Sequence, residues 1–392
     1  MLIYYIIFGI TILFALIDIY KPFKDKESVK VFWGIIALIV LFKGLRWDTG
    51  TDFAQYLACF ENVTWSNFYH FERYGFGTHL MEPGYTFLNV LIKTVFFDYT
   101  MFLLITNFAI MWIYGCTILK YVPKYKFACL SLVLVSTILF PVRQTFAAAI
   151  FLYSIRYILV KDWKKYYLCI LIAFSFHRSA LLLSIMYPLM NLKFNYKRNI
   201  AIYIGLIVFS NYMYSVFDIL KNSAVNVVMG DVMNQYDATN DNNILNETNE
   251  NNNILTYISS IVQITVYYWA FVKLKKIDIK SINYDFFNVM LNAYFFNLCL
   301  WSISYIPGFG SMNRMPAFFE FGYPFCIVLA MMYFTRVNHI KLGILLFIAT
   351  FIIKYNALNL NYKPERYELN LYVPYKTFFQ RDEPMRSGIW LY

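Results

Sequence analysis

The feature that most constrains this chain is a succession of long apolar runs, beginning with Leu2 to Tyr20 and recurring to the far end of the sequence. Each is near the length of about 20 residues that one helical crossing of a bilayer requires. Of 392 residues, 60% are apolar or aromatic and only 15% are charged, with a mean hydropathy of +0.50. A water-soluble domain needs about a quarter of its residues charged to cover itself, so a soluble enzyme, a secreted disulfide module and a disordered chain are excluded. The expected fold is an all-α integral membrane protein of about 10–12 transmembrane helices. It is read as a single polytopic domain over residues 1–392. The first run has no positive residue before it and no small-residue cleavage site after it, and is expected to stay as a span rather than leave as a signal peptide.

The formal charge of +11 is read first as topology. Lys21, Lys24, Lys26 and Lys30 follow the first run, and short basic loops mark the cytoplasmic face, which puts the N-terminus outside. Basic clusters at Lys120/Lys124/Lys126, Lys161/Lys164/Lys165, Lys193/Lys197/Arg198, Lys273/Lys275/Lys276/Lys280 and Arg336/Lys341 then lie inside. Residues 43–83 form an outer loop, 218–253 an outer loop with nine Asn between Asn234 and Asn253, and 357–392 an outer tail. Two runs have the wrong length to cross once. Tyr85 to Phe97 is too short and is expected to be re-entrant, as segment 84–97. Tyr166 to Leu192 is too long at about 40 Å as one helix, and is expected to be a helical hairpin turning near His177. Non-helical backbone at that depth needs protein or a wet cavity around it, so the turn is a candidate cavity wall.

Ionisable residues at or within membrane helices are costly to place and are functional candidates for that reason. In Gly44 to Tyr56, Arg46 stands at an interface, Gly50 allows a tight turn between Asp48 and Asp52, and Tyr56 follows one helical turn later. The bland reading of this block is a capped amphipathic helix with Arg46 snorkelling to headgroups. Glu82 and Pro83 open the short run, where they could simply start a helix. Arg143 and Gln144 begin another helix, an anion-attracting position that would equally suit an interfacial anchor. His177 and Arg178 sit at the proposed turn, where an imidazole is either a packing residue or the general base. Arg314 lies between spans, and Tyr372-Val373-Pro374-Tyr375 forms an aromatic tail more suited to a structural role.

Arg46, Arg143 and Arg314 are thus expected to converge on the outer boundary, with Asp52, Glu82 and His177 as proton acceptors. The planar guanidinium fork suits bidentate phosphate recognition, and a polyprenyl diphosphate lipid is the simplest phosphate ligand at that depth. Six cysteines at irregular spacing give neither a disulfide framework nor a zinc site, and no Lys/Arg-rich tail points to nucleic acid. No metal and no cofactor are expected.

The order GLRWDTGTDFAQY, MEPGY, VRQTFAAAIFLYS, IAFSFHRSALL, NRMPAFFEF and a closing YVPY resembles the EpsG family of Wzy-like polysaccharide polymerases, found in bacterial exopolysaccharide, capsule and O-antigen operons. The resemblance runs over nearly the whole chain. It implies a multi-span, GT-C-like glycosyltransferase of the bacterial inner membrane. Such an enzyme joins undecaprenyl-diphosphate-linked oligosaccharides, which serve as both donor and acceptor, at the outer face and without metal. On this basis Arg143 and Arg314, with Arg46, would clamp the diphosphate, His177 would take the acceptor proton with Asp52 orienting it or serving as the alternative base, and Tyr56 and Glu82 would position sugars. Gln144, Arg178 and Tyr375 complete the expected binding set, and membrane lipid and a chain-length regulator are the further partners considered. The same donor would serve an O-antigen ligase, whereas a flippase or transporter would carry its charges at mid-membrane and often in repeated halves. An acyltransferase would need an acyl-donor path, for which the sequence has no feature.

Overall fold

The computed structural model describes residues 2–20, 26–50, 53–69, 81–137, 139–140, 143–221, 254–277, 282–304, 314–358, 360 and 372–382, and it is built almost wholly of α-helix. In chain order these are α1 (Leu2–Tyr20), α2 (Lys26–Gly44), α3 (Phe53–Asn62), α4 (Pro83–Phe96), α5 (Tyr99–Tyr121), α6 (Lys126–Ser136), α7 (Arg143–Leu159), α8 (Trp163–Phe176), α9 (Met186–Asn191), α10 (Tyr196–Lys221), α11 (Ile254–Lys276), α12 (Tyr284–Ser304), α13 (Gly322–Arg336) and α14 (Ile340–Ala357). Two short strands, β1 (Arg46–Trp47) and β2 (Lys376–Thr377), pair antiparallel. The chain divides into two compact units, one of residues 1–191 with 334–392 and one of residues 192–333. Most of the Asn-rich segment and the stretch before Arg314 lie outside the described residues.

Five segments are long and apolar enough to cross a membrane: Leu2–Tyr20, Tyr99–Tyr121, Tyr284–Ser304, Pro316–Arg336 and Ile340–Ala357. Their outward faces carry bare aliphatic side chains, such as Leu13, Leu345 and Ile353 at 58%, 61% and 63% exposure, which only lipid would solvate well. The architecture is therefore a multi-span membrane one. Part of the apolar sequence has another use: α6 is 11 residues, about 16 Å long, and nearly every one of its side chains is buried. A composition-based estimate of crossings spends such a helix as membrane material, although it is packed as interior.

In the first unit α2 and α5 run closely antiparallel. At Gly115 an added Cβ would fall 2.7 Å from Ile36 Cδ1, and at Gly44 2.9 Å from Leu104 Cα, so both ends of the contact need a missing side chain. The Trp33 and Trp112 rings lie over one another at 4.7 Å. α1 packs against α6, and the wholly buried Asp18 of α1 accepts the Phe127 N–H at 3.0 Å. A carboxylate from a neighbouring helix thus covers the N-terminus of α6, where the backbone has no partner of its own. The α4 helix opens at Pro83 and is 14 residues, about 21 Å, too short to cross alone.

The expected hairpin is present. After α8 the chain breaks at His177, continues as a 3₁₀ segment over Arg178–Ile185 and enters α9. The Tyr166 hydroxyl donates to the Leu183 carbonyl at 2.6 Å, whereas a continuous helix would hold those residues about 25 Å apart. The second unit is tied internally by side-chain amides of α12. Asn288 and Asn292 donate to the Leu192 carbonyl at 2.9 and 2.8 Å, and Asn297 donates to the Pro316 carbonyl at 2.8 Å.

Two stability predictions follow from these contacts. Asp18→Ala should cost about 1–3 kcal/mol by stripping the α6 terminus of its acceptor, with Asp18→Asn losing less. Gly115→Leu should force α2 and α5 apart and lower the unfolding midpoint. Thermal unfolding of the purified protein in detergent measures both, and unchanged midpoints would contradict the packing described.

Candidate functional site

The polar centre of the first unit is assembled from four segments distant in sequence. The aromatic ladder that places it starts on α3, where Phe53 meets Tyr99 at 5.5 Å and Tyr56 meets Tyr85 at 5.6 Å, while Tyr85 meets Phe102 at 5.6 Å. These contacts wedge α3 between α4 and α5 and turn the Tyr56 hydroxyl toward the first residue of α7. That residue is Arg143, 7% exposed, whose Nη1 lies 2.6 Å from Glu82 Oε2 and whose Nε donates to the Tyr56 hydroxyl at 3.4 Å. Its guanidinium also sits over the Tyr56 and Tyr85 rings, at 5.3 and 5.9 Å from their centroids.

Glu82 occupies the N-cap position of α4, yet its side chain makes no cap bond to that helix. Its carboxylate instead bridges outward, with Oε2 on Arg143 and Oε1 accepting the backbone N–H of Arg178 at 3.1 Å. The Arg178 side chain is 61% exposed and reaches Oε1 only at 4.0 Å, so the backbone makes the better contact. Gly84 permits this approach: a Cβ there would stand 2.8 Å from the Ser175 carbonyl oxygen on α8. The ion pair therefore fixes the start of α4, the start of α7 and the break after α8 relative to one another.

His177 is buried at that break and caps the 3₁₀ segment. Its Nδ1 accepts the Ser179 N–H at 3.3 Å and lies 2.7 Å from the Ser179 hydroxyl. An Nδ1 that accepts a backbone N–H leaves the proton of the neutral ring on Nε2, which is then a donor. Cys59, also on α3, is buried, which pushes its thiol up to about 12 against the pull of Arg143 and Lys93 and disfavours the thiolate.

A second polar group lies where residues 44–50 meet the C-terminal tail. Strand β1 pairs with β2 in the register Arg46↔Thr377 and Trp47↔Lys376, and the Phe378 N–H donates to the Leu45 carbonyl at 3.0 Å. The Tyr375 ring stacks on Phe42 at 5.2 Å with its hydroxyl on the Phe42 carbonyl, and the Tyr4 hydroxyl donates to the Tyr372 carbonyl. Arg46 is consequently 2% exposed, not snorkelling to headgroups. Its Nη1 donates to the Thr49 carbonyl at 3.0 Å and its guanidinium lies 5.0 Å from the centre of the Phe140 ring. Burial pushes this guanidinium below its ordinary basicity. Gly50 has φ +105°, as the tight turn requires, and a Cβ there would stand 3.0 Å from Arg46 Nη1.

Of the residues singled out in the sequence, Tyr56, Glu82, Arg143, His177 and Arg178 meet at one centre, while Arg46 and Tyr375 form the second group. Gln144 is half-buried one residue into α7. Arg314 is exposed in the other unit, and Asp52 lies outside the described residues. Sequence reasoning missed Tyr85, Tyr99, Phe140 and Lys43, which look like ordinary membrane-helix residues until the fold sets them beside arginine. Among the described residues no three His, Cys, Asp or Glu side chains come together in a group able to hold a metal ion.

No curated protein and no solved structure matches the chain significantly. The sequence model of the EpsG family matches residues 29–377, a stretch that takes in the polar centre, the Arg46 loop and strand β2. By a match over most of its length, the chain belongs to the EpsG family, a family of Wzy-like polysaccharide polymerases.

Proposed function

We propose that this protein joins oligosaccharide repeat units carried on undecaprenyl diphosphate, at the outer face of a bacterial inner membrane, through a multi-span GT-C-like glycosyltransferase mechanism. The observation that supports this best is the buried Glu82–Arg143 pair with Tyr56, a charged centre built from several chain segments inside an otherwise apolar helical body. In the reaction, an acceptor hydroxyl oxygen forms a bond to the anomeric carbon of the donor chain. The bond from that carbon to the diphosphate oxygen breaks, the lipid diphosphate leaves, and the hydroxyl proton passes to a base.

Arginine side chains neutralise the charge that develops on the leaving diphosphate, so no cation is assigned a role. Glu82 holds Arg143 in place and Tyr56 sets its plane, which makes Glu82 a positioning residue. His177 donates a hydrogen bond from Nε2–H to substrate oxygen. With Glu82 committed to Arg143 and His177 Nδ1 to Ser179, the proton falls to Asp52, of the three acceptors considered. Gln144 and Arg178 line the approach, Arg314 contacts the diphosphate or its glycan, and a chain-length regulator acts as an accessory partner.

A ligase would use the same donor, so the deciding experiment is polymer length. A strain lacking this gene should carry single-unit glycan on a gel, and wild type should restore long chains. Long polymer unattached to its final acceptor would make the protein a ligase, and lipid-linked units trapped inside would make it a flippase.

Variants in that strain test the roles. Asp52→Asn at matched expression should leave single units. His177→Asn, whose Oδ1 can still accept the Ser179 N–H, should keep part of the activity, while His177→Ala should lose it together with stability. An inactive His177→Asn with a normal melting temperature would restore His177 as the base. Glu82→Gln should destabilise the protein by about 3–5 kcal/mol by leaving Arg143 buried and unpaired. The double variant Glu82→Gln/Arg143→Gln should regain much of that stability and still make no polymer, as read by thermal unfolding and by gel.

A further inference from the structure

Helix α4 buries one face and bares the other. Tyr85, Thr86, Asn89, Val90 and Ile92 are buried, while Phe87, Leu91 and Val95, spaced one helical turn apart, are 43%, 42% and 61% exposed. Phe96 and the C-cap residue Phe97, itself 81% exposed, extend the row. The polar groups beside it are already used. Lys93, the one charged residue between positions 84 and 97, donates to the Glu61 and Val63 carbonyls at 2.6 and 3.1 Å. The Thr94 hydroxyl donates to the Val90 carbonyl at 2.8 Å and accepts from the Trp65 indole at 3.0 Å. Nothing on this face calls for water or for a charged partner, and a bare apolar row of this size is a contact surface.

The depth of that face follows from what the two ends of α4 touch. Helix α5, Tyr99–Tyr121, is of membrane-crossing length and serves as a ruler. Tyr85, near the start of α4, packs its ring on Phe102 in the first turn of α5 at 5.6 Å. The end of α4 passes into that same turn through Asp98, whose carboxylate accepts the Thr100 N–H at 2.6 Å. The start of α4 also meets Arg143, the first residue of α7, through Glu82, and the last turn of α8 at Ser175. A helix dipping into the bilayer beside α5 would separate Tyr85 from Phe96 in depth by about 16 Å. Instead both ends lie at the level where α5 and α7 begin. Helices α5 and α8, against which α4 packs, likewise bare Phe108, Trp112, Leu171 and Ile172, so the row joins a surface already turned to lipid.

We propose that α4 is an interfacial helix: it lies flat at the level where α5 and α7 begin, with Phe87, Leu91 and Val95 dipped into the acyl chains of that leaflet, rather than re-entering the membrane. Its partner is the lipid surface. A short helix with an apolar face binds a bilayer in this way, and with no free cation on the row the attachment owes little to anionic headgroups. Glu82 stands at the N-cap of the same helix and holds Arg143, so the flat helix fixes the charged centre at headgroup depth, where the phosphates of a lipid lie. Nothing in this placement depends on the polymerase reading.

The test uses the full chain carrying Cys116→Ala, since the other five cysteines are buried, reconstituted in phosphatidylcholine vesicles. Nitroxide labels are attached singly through Phe87→Cys, Leu91→Cys and Val95→Cys, and through Phe108→Cys near the middle of α5 as a deep marker. Depth is read from collisions with oxygen and with a nickel chelate. A flat helix puts the three α4 labels within about 4 Å of one depth, all shallower than the label at 108. A spread of about 12 Å from position 87 to position 95, as a re-entrant helix gives, would overturn the proposal. High nickel access at all three, the mark of a face in water, would overturn it as well. So would low access to both reagents, the mark of a face covered by protein, with spin–spin broadening if that protein is a second copy. Where a label at one position lowers the melting temperature, Phe97→Cys in the same row replaces it, with the same depth expected. Polymer length in the deletion strain is read separately and decides the polymerase reading whatever the labels report.

Discussion

Inside an apolar helical body, the contact on which the rest depends is the 2.6 Å pair between Glu82 and Arg143. Neither charge is tolerable there alone, so each helix end that carries one is held against the end that carries the other. The pair explains why Glu82 leaves its own helix uncapped, why Gly84 has no side chain and why the Arg178 backbone N–H turns inward. Aromatic packing does the coarse placement and the ion pair removes the remaining freedom. Such a centre is more useful for orientation than for stability, because apolar groups of the same volume would hold the helices together equally well.

Backbone breaks do comparable work. A polar interruption in a membrane helix exposes N–H and C=O groups that must find partners in the protein. At His177 the imidazole and the Glu82 carboxylate supply them, and the hairpin that results brings α9 back toward α8. At Gly50 the turn folds over Arg46, and at Gly44 the backbone of α2 closes on α5. At His177 and at Gly50 the irregular backbone lies next to a charged side chain, Glu82 in the first case and Arg46 in the second.

Much of this was legible in the residues. The 27 residues from Tyr166 to Leu192 are too long for one crossing, and that length calls for a hairpin turning near His177. The Glu82-Pro83 start, the Gly50 turn and the importance of Arg143 could likewise be read from local rules. What the sequence hides is partnership. Glu82 and Arg143 are 61 positions apart, and Arg46 faces residue 377 across a two-residue ladder, so no window of sequence contains both members. Lys43 reads as one more basic residue beside a membrane helix, and its burial shows only in the folded chain. The number of crossings is equally indirect, since α6 spends apolar residues on interior packing.

The pairing of β1 with β2 has a consequence for how the protein is made. Helices α1 and α2 are inserted early in synthesis, but the strap that covers Arg46 comes from residues 372–377, more than 300 positions later. Until then a nascent chain presents Lys43 and Arg46 to water and headgroups, where their charges are solvated at little cost. Docking of residues 372–377 covers Arg46, so the surroundings of a residue met early in the chain are completed only by a segment made much later. A chain cut short before Tyr372 would keep α1 and α2 but lack the β1–β2 ladder, and Arg46 would stay uncovered.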